Sequence, residues 1–119
     1  MHPGFSAYLK TQSLALKGQL VESEALLKAA RLLETARISP SDPGVLGTAL
    51  KFNLTLWTFF QADLMEPANA LSEKLKSELL DLSLYMDRSS VELLQGYDAN
   101  TLETMITINR NLAGAMLEK

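Results

Sequence analysis

The 119 residues contain no cysteine and a single histidine, His2, at the extreme N-terminus. The first absence excludes disulfides, thiol catalysis and cysteine-based zinc sites, and the second leaves the interior without the usual base for an activated serine or threonine. Charge of one sign is also scarce. The 11 Lys and Arg against 14 Asp and Glu leave a net charge of −3, and neither sign forms a block. A surface that tracks phosphates by bulk electrostatics needs clustered basic residues, so direct RNA binding is not expected. The longest uncharged run, Phe52 to Ala62, is well short of the roughly 20 apolar residues of a membrane-spanning helix, so no membrane insertion is expected. No basic lead followed by a long apolar stretch opens the chain, and a cytoplasmic location is the expectation. With only four prolines and six glycines there are few breakers. Long helices can therefore run between them.

What is present is helical periodicity over the length of one domain. From Leu20 to Arg37 the apolar positions Leu26, Ala29, Ala30 and Leu33 recur at helical spacing. Pro40 and Pro43 then mark a loop. Asp42 before Pro43 is a helix start, with a carboxylate to cap free N–H groups and a ring that suits the first helical position. The helix it opens, to about Leu64, is apolar almost all round and reads as the buried centre of a bundle. A third helix is predicted from Ser72 to Gln95, with Leu75, Leu79, Leu82, Met86 and Leu94 inward and Gly96 as a left-handed stop. Asn100 and Glu103 have the spacing of a capping box for a fourth helix. The fold class is therefore all-α: about four helices in one domain, 20–119, behind an N-terminal arm, 1–19.

Candidate chemistry is thin. Ser41, Ser72 and Ser89 read as caps and solvated surface. The carboxylate pairs Glu22 with Glu24 and Glu73 with Glu78 read as exposed, with ordinary pKa values. No catalytic, cofactor-binding or metal-ligating set emerges, and an enzyme is not expected. The apolar supply is more informative. The core is assigned to Asn53, Leu56, Trp57, Phe60, Leu71, Leu82, Asn109 and Leu112, in which the two amides, on apolar stripes, need hydrogen-bond partners if buried. Phe52 and Phe59, with Phe5, Tyr8, Leu9 and Leu14 of the arm, are the candidate partner-binding residues. Two readings stay open for them: surplus apolar surface that binds a partner, or an arm that folds back over the second helix.

Several segments in order are similar to a known family. Asn53-Leu54-Thr55-Leu56-Trp57, then Asp63-Leu64, Asn69-Ala70-Leu71 and Leu82-Ser83-Leu84-Tyr85-Met86, resemble the middle of the bacterial flagellar regulator FlaF family, and Ile108-Asn109-Arg110 resembles its C-terminal helix. Ala7-Tyr8 resembles its opening. The chain departs where Ser72 replaces a common proline, and where Gly18-Gln19 replace Pro-Arg. The resemblance implies a cytoplasmic helical protein needed for flagellum formation, acting on flagellin production or export together with FlbT, a regulator of flagellin messenger. Flagellin is then the expected partner, held before export by a helix-in-groove contact. The rival reading is a translational regulator acting on flagellin messenger, directly or with FlbT.

Overall fold

The computed structural model describes the backbone of residues 12–117 and the side chains of residues 22–116. Four helices follow in order, α1 (Gln12–Arg37), α2 (Pro43–Leu64), α3 (Glu73–Gln95) and α4 (Ala99–Leu117), and the described residues contain no strand. The helix expected from Leu20 begins at Gln12, so it passes through Gly18-Gln19 and takes in residues 12–19 of the stretch read as an arm. Phe5, Tyr8 and Leu9 lie outside the described residues, and Leu14 lies in α1 outside the described side chains.

Each junction has a local cause. The Asp42 carboxylate accepts hydrogen bonds from the N–H groups of Gly44 and Val45, at 3.0 and 3.3 Å, and Pro43 opens α2. Between α2 and α3, the Asn69 amide donates to the Asp63 carbonyl at 3.1 Å and accepts from Leu71 N–H at 3.0 Å, which seats Leu71 in the core. Ser72 caps α3 through Leu75 N–H.

At the third junction the structure corrects two expectations. Gly96 is extended, with φ −168°, rather than left-handed. The cap of α4 comes from Asp98, whose carboxylate takes the N–H of Asn100 and the hydroxyl of Thr101, at 3.1 and 2.8 Å. Asn100 is thereby drawn inside the helix, and Glu103 turns to Arg37. The extended Gly96 needs no glycine, and a Cβ there would meet nothing within 4 Å. Gly96→Ala should therefore raise stability by about 0.5 kcal/mol, by narrowing the unfolded ensemble. Urea unfolding checks this.

In the bundle α1 sits between α4 and α2, and α2 sits between α1 and α3. The most extensive pairing is α1 with α4, so α2 is not the central helix that its composition implied. Ala29, Ala30 and Ala36, all buried on α1, explain this, since small side chains let helix axes approach closely. The last pair, α3 and α4, meets at only a few points, and the molecule is elongated, 46 × 23 × 18 Å.

The core combines Leu26 and Leu33 of α1, Trp57 and Phe60 of α2, Met86 of α3, and Leu102 and Met105 of α4. On α3 the inward line passes through Leu79, Met86 and Leu93. Leu94, expected inside, is 68% exposed because it lies 100° round from Leu93, and Leu75 is exposed as well. Ser89, expected on the surface, is buried beside Ser90, whose hydroxyl donates to the Met86 carbonyl at 2.8 Å. Leu56, Leu82 and Leu112 are half-buried at the edge of the core.

Two diagonal helices, α2 and α4, meet through side chains. Trp57 Nε1 donates to Asn109 Oδ1 at 2.9 Å, Asn109 Nδ2 donates to Asn53 Oδ1 at 2.8 Å, and Asn53 Nδ2 reaches Met86 Sδ at 3.4 Å. The order is forced from one end. An indole N–H can only donate, so Asn109 must offer its oxygen, which leaves its NH₂ for the Asn53 oxygen and the Asn53 NH₂ for the sulfur. A buried chain of this kind fixes the height of α4 against α2 and α3, since a slide of one residue would strand every member.

Candidate functional site

Helical phase sorts the large side chains of α2 onto two faces. Asn53, Trp57 and Phe60 point into the core, whereas Phe52 and Phe59 are seven residues apart and share a strip on the flank toward α1. Phe52 is half-buried, with Lys28 Nζ of α1 lying 4.9 Å from its ring centroid. Phe59 is 59% exposed, with the ring of Phe60 tilted beside it at 6.3 Å between centroids. Phe60 in turn stands edge-on to Trp57 at 5.3 Å. The strip is thus one open ring, Phe59, and one half-covered ring, Phe52, on a helix tied to the core through Phe60 and Trp57. Such a surface can hold an apolar or amphipathic segment, and Lys28 adds a positive charge at one end.

At the other end of the α1–α2 seam the charge reverses. Glu22, read from the sequence as exposed with an ordinary pKa, is largely buried, and its Oε1 has no hydrogen-bond partner among the described residues. Burial first and the nearby Asp63 carboxylate second push its pKa up to about 8. Asp63 is itself raised to about 6, by burial and by Glu66. The sequence held no sign of this. Glu22 lies one turn before Leu26 on the inward side of α1, but its burial depends on where the end of α2 comes to rest.

Nothing in the described residues gathers the groups that catalysis or metal binding would use. No set of three or more His, Cys, Asp or Glu side chains stands within reach of one ion, and His2 lies outside the described residues. No helix in the described region is long and apolar enough to cross a membrane. The candidate partner-binding residues are divided by the structure: Phe52 and Phe59 come together on one strip, while nothing described brings Phe5, Tyr8, Leu9 or Leu14 to it.

Fold and surface define a small four-helix protein with a buried polar clasp and one partly open aromatic strip. The family model described as "Flagellar protein FlaF" matches residues 5–116, nearly the whole chain. The chain therefore belongs to the FlaF family of flagellar proteins. No curated protein and no solved structure matches it.

Proposed function

We propose that this flagellar protein binds flagellin in the cytoplasm, before export, through the Phe52–Phe59 strip, and thereby supports flagellin production and export. The observation that carries the reading is Phe59, a large aromatic side chain left 59% exposed beside a second ring on the same helix face. An amphipathic helix of an unassembled flagellin, whose apolar side has no partner until it polymerises, is the kind of segment that such a strip covers. Membership of a flagellar family makes flagellin the first client to test.

Calorimetric titration of purified flagellin into the full chain and into Phe59→Ala tests this. Because Phe59 is mostly exposed, the variant should keep its helical circular dichroism, while its affinity should fall at least tenfold, about 1.4 kcal/mol. Equal affinities would remove the strip from the contact. Absence of binding by the unaltered protein would remove flagellin as a direct client.

A further inference from the structure

The buried face of α3 is half polar. Of its six buried residues, Leu79, Met86 and Leu93 are apolar, while Ser83, Ser89 and Ser90 are serines. A buried serine adds little apolar area to hold a helix down, and its hydroxyl carries a desolvation cost that only a hydrogen bond offsets. The Ser90 hydroxyl donates to the Met86 carbonyl of its own helix, so that bond ties α3 to nothing else. Leu84, Val91 and Leu94 meanwhile stand exposed on the same helix. Most of their apolar surface is already in water, and releasing α3 forfeits little of it.

The neighbours of α3 are also few. It packs on α2, meets α4 at only a few points and does not pack on α1 among the described residues. Two of its side-chain links to α2 converge on Gln61, whose amide reaches the Ser83 hydroxyl and the Asp87 carboxylate, and a third is the contact of Asn53 Nδ2 with Met86 Sδ. The other three helices close on one another without it. Helix α1 pairs with α4 and with α2, the Ser23 hydroxyl donates to the Ala113 carbonyl at 3.2 Å, and Trp57, Asn109 and Asn53 join α2 to α4. The segments on either side of α3 are pinned to that trio, by the Asn69 amide on the Asp63 carbonyl and by the Tyr97 hydroxyl on the Arg37 carbonyl at 3.0 Å. The weakly held unit therefore has definite ends.

We infer that α3 is a releasable lid: residues 73–95 open as one unit, by local unfolding, while α1, α2 and α4 stay packed. A helix that sets little apolar area against its neighbours opens at lower cost than the fold as a whole. Opening uncovers the side of α2 that Met86 shields at Asn53. It leaves the bonds from Trp57 to Asn109 and from Asn109 to Asn53 in place, because neither involves α3. The Phe52–Phe59 strip lies on the α1 flank of α2, so the inference does not depend on the client proposed above.

Native-state hydrogen exchange of the full chain, followed amide by amide by NMR under conditions where exchange reports the opening equilibrium, tests the proposal. The best-protected amides of α3 should have opening constants at least tenfold larger than those of α1 and α4, equivalent to about 1.4 kcal/mol. Ala113→Gly, at the contact of α4 with α1, separates local from global opening. It should raise the opening constants of α1 and α4 roughly fivefold, the cost of a glycine inside a helix, and leave those of α3 unchanged. Should that variant fail to fold, the comparison within the unaltered protein decides. Equal opening constants in α1, α3 and α4 would overturn the inference, as would α3 amides that shift with those of α4 in Ala113→Gly.

Discussion

Replacing Trp57 with Ala should lower the stability of the domain by about 3 to 5 kcal/mol, enough to leave a chain of this size marginal or unfolded. Two causes add. The indole is fully buried and stands edge-on to Phe60, so its removal empties a large space in the middle of the core. It also takes away the one donor that orients the amide chain, leaving Asn109 Oδ1 buried without a hydrogen bond. Trp57→Phe separates the two: the ring retains most of the volume, and the remaining loss, about 1 to 3 kcal/mol, reports the stranded oxygen. Chemical unfolding followed by circular dichroism measures both variants. A cost for Trp57→Phe within error of zero would show that the clasp does not hold the helices together.

The second large effect is on the pH dependence of stability. Glu22 has an ordinary carboxyl pKa of 4.5 when the chain is unfolded and about 8 in the folded protein, because its seam disfavours the charged form. A raised carboxyl pKa means that the folded state holds the proton more tightly than the unfolded state. The associated stability is fully present below about pH 4.5 and is lost as pH rises toward 8 and beyond. Allowing for partial exposure of the side chain, the loss is on the order of 3 kcal/mol. Asp63 acts in the same sense over the lower window from 3.8 to about 6, with a smaller effect because it is more exposed. Glu22→Gln keeps the shape without the charge. It should match the unaltered protein near about pH 5 and exceed it near about pH 9. Urea midpoints at the two pH values make the comparison, and parallel behaviour of the two proteins would show that Glu22 ionises freely in the native state.

Local features of the chain were legible before any tertiary structure. Asp42-Pro43 and Ser72 are signals that act within one turn of their own backbone, and the helices they open begin at Pro43 and Glu73. Local competition also explains the failure at the last helix. Asp98 and Asn100 are both good caps, and the carboxylate, which can satisfy Asn100 N–H and the Thr101 hydroxyl together, takes the position. Around each helix the legibility falls. Composition alone made α2 look buried on all sides, yet Phe59 faces outward, because a helix with neighbours on two flanks has a third side open whatever residues stand there.

By itself the sequence determined the helical class, two of the three junctions and the absence of cysteine or an internal histidine for chemistry, since these depend on residue type and on spacing along one segment. The resemblance in its motifs pointed to the family. Only the tertiary structure decided which apolar side chains are spare, that Glu22 is held in a seam where its charge is costly, and that Asn53, Trp57 and Asn109 form one chain across α2 and α4. The physical reason is the same in each case: exposure, desolvation and hydrogen bonding between residues more than fifty positions apart belong to the packing of whole helices, and no segment carries them alone.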